Sequence, residues 1–143
     1  MADESTPAPL GKVRPAASEL HFRRLWQGIG WLMVAVVVWL SVTPHPPQPP
    51  SLLTWDKAQH LTAYAGLMYW FRQAFAAHWR WPVFLITLGV VLELLQSMIP
   101  LRNGDLVDVV ANSLGVGIGL ALGRSPLGGL LAAADARIAR LGR

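Results

Sequence analysis

Three apolar segments of this chain carry polar side chains at helical spacing. In the first, Asp56, His60 and Tyr64 are each four residues apart, so at about 100° per residue they share one face of a helix. Carboxylate and imidazole groups can act as general bases or as binding groups, and inside a membrane they usually face protein or water. The spacing therefore indicates a shared polar site.

The other two segments repeat this pattern at a similar depth. Glu93 and Gln96 share one face of the second segment, and Asp105, Asp108 and Asn112 share one face of the third. Three helices would thus turn polar faces toward one another in the same half of a bundle.

The candidate binding residues come from these three faces and from two cations beside them. They are Asp56, Lys57, His60, Tyr64, Glu93, Gln96, Arg102, Asp105, Asp108 and Asn112. Most of them also have a structural explanation. The aspartates can cap helix N-termini, and the tyrosine and amide side chains can form hydrogen bonds between helices.

Glu93 is the exception, because its carboxyl group lies about two turns inside an apolar helix, where it must be paired or protonated. His60 and Arg102 are its expected partners. Glu93 and His60 are therefore the candidate catalytic residues, each as a general base. No transition-metal site is predicted, since one histidine is a poor basis for one and the chain has no cysteine. No cofactor is predicted.

The third polar segment also carries small residues on its polar face. Asp108, Asn112, Gly115 and Gly119 fall within about 60° of one another at helical spacing. Glycines let helix backbones approach closely in membranes. We therefore expect this polar face to pack against protein and not against lipid.

The composition places these segments in a membrane. Hydrophobic residues make up 53% of the 143 residues and charged residues only 14%, against roughly 25% in soluble domains. The net charge of +4 is compatible with nucleic-acid binding, but the basic residues flank apolar segments and form no recognition motif. No nucleic-acid partner is predicted; the expected partner is the lipid bilayer.

The fold class that follows is all-α, a polytopic membrane protein with a bundle of four transmembrane helices in residues 21–123. The spans are predicted at about 25–43, 56–77, 81–99 and 105–123. Residues 1–20 are predicted to be a disordered cytoplasmic tail, and residues 124–143 an amphipathic helix on the cytoplasmic leaflet. The stripe of that helix comprises Leu127, Leu130, Leu131, Ala134, Ile138 and Leu141.

The basic residues set the expected orientation. Four spans place ten of the twelve Lys and Arg residues on one side, and leave only Lys57 and Arg102 on the other. The positive-inside rule then puts both termini in the cytoplasm and the protein in the bacterial inner membrane. The polar faces would lie in the extracytoplasmic half.

Two motifs resemble those of the VanZ-like membrane protein family. The first comprises Asp56, Lys57, His60, Tyr64 and Leu67. The second comprises Glu93, Gln96, Pro100, Arg102, Asp105, Asp108, Asn112 and Gly115. Leu101 departs from the pattern, which has a small residue before the arginine. The resemblance covers residues 55–123 and implies a small multi-span protein linked by name to glycopeptide-antibiotic resistance, with no reaction assigned.

Three functions are compatible with these residues. The first is an accessory or binding protein of the cell envelope, whose outward-facing pocket receives an envelope lipid or lipid-linked wall precursor. Lys57 and Arg102 would meet its phosphate or carboxylate. The second is an intramembrane enzyme acting on an envelope lipid, with Glu93 or His60 as base. The third is a structural scaffold in which the polar network fixes helix register. The oligomeric state is not predicted.

Overall fold

The protein is described by a computed structural model that covers residues 19–45, 47, 56–100 and 104–142. All regular structure within these ranges is helical. The helices are α1 (Arg23–Val42), α2 (Asp56–Ala74), α3 (Arg80–Ser97), α4 (Leu106–Arg124) and α5 (Leu130–Leu141). A short 3-10 helix, Pro126–Gly129, joins α4 to α5. The predicted tail, most of the proline-rich loop before α2, and residues 101–103 lie outside the described ranges.

Three of the described helices are long and apolar enough to cross a membrane: α1, α3 and α4. Each begins and ends within about three residues of the predicted span. The α2 helix lies at the predicted place, but its composition does not meet the same hydropathy criterion. The polar residues of α2 lower its hydropathy, and two of them, Tyr64 and Gln73, are buried.

The four long helices pack side by side. Gln27 at the start of α1 donates a hydrogen bond to the Ala74 carbonyl at the end of α2, so these two helices run in opposite directions. Lys57 at the start of α2 pairs with Asp105 before α4, so α2 and α4 run in the same direction. We call the end with the starts of α2 and α4 the polar end.

The opposite end is rich in aromatic side chains, and we call it the aromatic end. Phe71 is fully buried, stacks on Phe75 with ring centroids 4.6 Å apart, and meets Trp81 at 5.2 Å. By contrast, large apolar side chains on the outer faces of the bundle are exposed. Leu32 and Leu94, for example, are 63% and 62% exposed. Apolar surface of this extent is typical of lipid contact.

The contact between α2 and α4 is the most extensive in the bundle. It depends on Gly115 and Gly119, where an added Cβ would collide with the backbone carbonyls of Leu61 and Ala65. The small-residue face of α4 therefore packs against protein, as its spacing predicted.

The C-terminal helix α5 packs on the aromatic end through Leu131 and Asp135, which are both buried. Its predicted apolar stripe is largely turned away from the bundle, and Leu130 and Leu141 are 56% and 82% exposed. The Leu131 N–H donates to Gln73 Oε1 at 2.9 Å. The α5 helix thus has a bundle-facing side and a separate apolar side.

Candidate functional site

The first two turns of α2, the last turns of α3 and the start of α4 meet at the polar end. His60 reaches Asn112 of α4, Lys57 reaches Asp105 and Asp108, and Glu93 of α3 bonds the backbone before α4. The structure therefore brings together the predicted polar faces of three helices. Arg102 lies outside the described residues.

Lys57 is held between two carboxylates. Its Nζ atom lies 2.7 Å from Asp105 Oδ2 and 2.9 Å from Asp108 Oδ1. Asp105 also caps α4, because its Oδ1 accepts the Val107 N–H at 2.9 Å. Asp105 thus has the predicted structural role, and Lys57 has two anionic partners within the protein.

His60 is oriented by an amide. Its Nδ1 atom lies 3.1 Å from Asn112 Oδ1, which can only accept a hydrogen bond, so Nδ1 is the protonated nitrogen. Its Nε2 atom lies 3.8 Å from Asp56 Oδ1 and 3.8 Å from Asp108 Oδ2. These separations exceed hydrogen-bonding distance.

Three buried side-chain oxygens form no hydrogen bond among the described residues: Glu93 Oε2, the Tyr64 hydroxyl and Asp108 Oδ1. Asp108 Oδ1 is ion-paired with Lys57, which leaves Glu93 Oε2 and the Tyr64 hydroxyl without a partner there. The other Glu93 oxygen, Oε1, accepts the Asp105 N–H at 2.5 Å. Glu93 and Tyr64 are only 5% and 2% exposed. A buried polar atom without a hydrogen bond costs about 1–3 kcal/mol, so these atoms call for a water or ligand.

Gln96 belongs to a different contact. It is buried, but its Nε2 donates to the Ser41 carbonyl near the end of α1 at 3.1 Å. Its described hydrogen bond therefore ties α3 to α1. Asp56, by contrast, is 64% exposed at its side chain and borders the site from outside.

The described part of the site carries an excess of acidic groups. Asp56, Glu93, Asp105 and Asp108 stand against one lysine and one histidine. Donor atoms of Asp56, His60 and Asp108 all lie within 4.8 Å of one another, a set that could hold a metal ion. The sequence interpretation predicted no transition-metal site, because it counted a single histidine.

A second buried cluster lies at the aromatic end, and the sequence interpretation missed it. Asp135 is 1% exposed, and its carboxylate accepts hydrogen bonds from Trp26 Nε1 at 2.7 Å, the Phe22 N–H at 3.0 Å and the His21 N–H at 2.7 Å. Its Oδ2 also lies 3.0 Å from His21 Nδ1. Burial acts to raise the pKa of Asp135, but these hydrogen bonds together lower it to about 2.

A sequence signal for this cluster did exist. Asp135 is the only acidic residue in α5 and lies four residues after the buried Leu131, so both project from one side of the helix. We call the set of Asp135 and its partners at the start of α1, namely His21, Phe22 and Trp26, the Asp135 clasp.

These features define an all-helical protein with at least three helices suited to a bilayer and a buried polar site at one end. Comparison with protein-family models, curated proteins and solved structures gives no match. The VanZ-like resemblance therefore depends on the two motifs alone.

Proposed function

We propose that this chain is a VanZ-like inner-membrane protein with four spans, cytoplasmic termini and an outward-facing pocket for an envelope lipid or lipid-linked wall precursor. The α2 helix is the fourth span. It has 19 residues, about 28 Å at 1.5 Å per residue, and two of its polar residues, Tyr64 and Gln73, are buried. Low hydropathy is expected for a span buried inside a bundle.

The distribution of charge supports the orientation. Arg72, Arg124, Arg137 and Arg140 lie at the aromatic end or beyond it, in the last turns of α2 and α4 and in α5. The positive-inside rule places this end in the cytoplasm. The exposed apolar side of α5 would then rest on the inner leaflet, and the polar end would face outward.

The observation that carries the binding role is the pair of unpartnered buried atoms, Glu93 Oε2 and the Tyr64 hydroxyl. A network that only fixed helix register would satisfy its own polar atoms, because each unmet one lowers stability. Glu93 Oε2 and the Tyr64 hydroxyl, which have no partner among the described residues, would be available to an incoming group. This favours binding over a scaffold.

The site also constrains the chemistry of its ligand. Lys57 already pairs with two carboxylates, which would compete with the phosphate or carboxylate that the sequence interpretation assigned to it. Among the described residues, the carboxylates of Asp56 and Glu93 have no lysine or arginine partner, and the Tyr64 hydroxyl and the Asn112 amide can both donate and accept hydrogen bonds. The pocket therefore suits a part of the head group that carries positive charge or N–H and O–H donors, such as an amine or a sugar.

The test compares two matched tyrosine variants purified in mild detergent, with bound lipids identified by mass spectrometry. Tyr64→Phe removes the unpartnered hydroxyl in the pocket. Tyr69→Phe removes a hydroxyl that donates to the Leu127 carbonyl at the other end. We expect Tyr64→Phe to lose the co-purified lipid without losing thermal stability, and Tyr69→Phe to keep that lipid.

Other outcomes point to the alternatives. Equal lipid content in both variants, with stability lowered in Tyr64→Phe, would contradict the pocket and favour the scaffold. A bound lipid that is chemically altered by the wild type and unaltered by Glu93→Gln would instead indicate an enzyme with Glu93 as base.

A further inference from the structure

We propose that Asp56, His60 and Asp108 bind a divalent metal ion, such as Mn²⁺ or Zn²⁺, at the mouth of the polar pocket. The inference uses the pocket described under the proposed function and names an occupant for it. Imidazole nitrogen combined with carboxylate oxygen is a ligand set that suits these ions.

The first argument is the spacing of the three donor atoms. His60 Nε2 lies 3.8 Å from both Asp56 Oδ1 and Asp108 Oδ2, and all three atoms lie within 4.8 Å of one another. The gaps are too wide for direct hydrogen bonds. Ligands held at about 2.0–2.2 Å from a common ion are separated by roughly 3–4 Å, which matches the two 3.8 Å separations from His60 Nε2.

The second argument is the orientation of His60. Metal-binding histidines usually donate their other ring N–H to an oxygen, which fixes the tautomer and directs the lone pair to the ion. Asn112 Oδ1 accepts from His60 Nδ1 in this way, at 3.1 Å. His60 Nε2 then faces the two carboxylates at 3.8 Å each, and a cation bound between the three groups would offset the repulsion between the carboxylates.

The third argument is independent of these donors. Glu93 is 95% buried, its Oε2 atom has no partner in the described ranges, and its carboxylate is close enough to interact electrostatically with Asp108, His60 and Asp56. Carboxylates just outside the ligands of a metal ion commonly support them through hydrogen bonds. Glu93 is not part of the set of Asp56, His60 and Asp108, and would act from outside it by adding negative charge and accepting a hydrogen bond from a water on the ion.

Lys57 has a positioning role in this arrangement. Its ammonium group binds Asp108 Oδ1 at 2.9 Å, so the second oxygen, Oδ2, is the one turned toward His60. One lysine cannot neutralise Asp56, Asp105, Asp108 and Glu93 together. A divalent ion would supply the missing positive charge in a region where uncompensated anions are costly.

The test is direct metal binding by the full chain in detergent, stripped with a chelator and dialysed. Mn²⁺ is titrated, free ion is followed by electron paramagnetic resonance, and Zn²⁺ is added as competitor. We expect one saturable Mn²⁺ per chain, displaced by Zn²⁺. His60→Gln should weaken binding at least about tenfold, because it removes the nitrogen ligand.

Two control variants, His78→Gln and Glu19→Gln, separate the loss of a metal ligand from general effects of the same substitution. His78→Gln makes the same change in the exposed α2–α3 connection and should leave binding unaltered. Asp56→Asn changes a mostly exposed ligand, so the fold should persist while Mn²⁺ affinity falls. Glu19→Gln removes an equal charge at the other end and should have no effect.

The outcomes distinguish the metal site from the lipid pocket. Absence of saturable Mn²⁺ or Zn²⁺ binding, or equal affinities in His60→Gln and His78→Gln, would overturn the metal site. If lipid still co-purified in a Tyr64-dependent way, the pocket would stand without the metal. Saturable metal binding, with equal amounts of co-purified lipid in the two tyrosine variants, would support the metal site and contradict the lipid pocket.

Discussion

The Asp135 clasp should contribute strongly to the stability of the bundle. Replacing Asp135 with Ala removes the acceptor of four interactions and leaves the Trp26 indole N–H buried without a partner. An unsatisfied buried donor costs about 1–3 kcal/mol, whereas the His21 and Phe22 N–H groups are partly exposed and can bind water. We therefore expect a loss of about 2–4 kcal/mol.

Asp135→Asn should lower the free energy of unfolding by roughly half as much as Asp135→Ala. The amide oxygen can still accept hydrogen bonds from Trp26 and Phe22. The new NH₂ group would face the His21 N–H, so two donors would meet without an acceptor between them. The measurement is reversible unfolding in mixed micelles, followed by tryptophan fluorescence for wild type and both variants.

A double-mutant cycle assigns the loss to the indole contact. Trp26→Phe removes the donor while keeping an aromatic ring, and combined with Asp135→Ala it should show a coupling of about 1–2 kcal/mol. If the two changes were simply additive, or if Asp135→Ala unfolded like the wild type, the clasp would not be a stabilising contact.

The clasp also predicts an acid limb in the stability profile. The folded-state pKa of Asp135 is about 2, against 3.8 for an unperturbed carboxyl group. A lowered pKa means that the ionised form is the stabilising one, so the contribution is complete above pH 3.8 and disappears as the pH falls through about 2. The stability difference between wild type and Asp135→Asn should shrink over that window.

Two further predictions concern packing and topology. Gly115→Leu should destabilise the bundle by about 3 kcal/mol or more, since a side chain there meets the backbone of α2. Asn112→Leu keeps a similar side-chain volume and should reduce the folded yield less. A wild-type melting temperature for Gly115→Leu would contradict the packing of α4 against α2. Reporter fusions after Pro49 and Asn103 should be active outside the cytoplasm, and fusions after His78 or at the C-terminus should not; an externally active C-terminal fusion would contradict four spans.

The sequence predicted the helices and the polar end because both depend on local periodicity. Apolar runs set the bounds of α1, α3 and α4 to within a few residues. The 3.6-residue repeat placed Asp108, Asn112 and Gly115 on one face, and the structure buries all three. Relative positions along one helix are thus readable without tertiary information.

What the sequence could not supply is which neighbour each face meets. Gln96 shares a face with Glu93, yet its described bond is to α1. Lys57 could equally have met a ligand or the two aspartates it pairs with, since the choice depends on the rotation of α2 against α4. The sequence analysis gave no role to Asp135, because its partners are more than a hundred residues away.

That separation has a consequence for biogenesis. His21, Phe22 and Trp26 leave the ribosome 109 to 114 residues before the carboxylate that binds them. Until then the first helix enters the bilayer with the indole N–H of Trp26 unmet, and the bundle cannot close at that end. Completion of α5 therefore acts as a late step in assembly. We therefore expect a chain truncated before Asp135 to be degraded faster than the full chain, because the end formed by α1 and α5 stays incomplete.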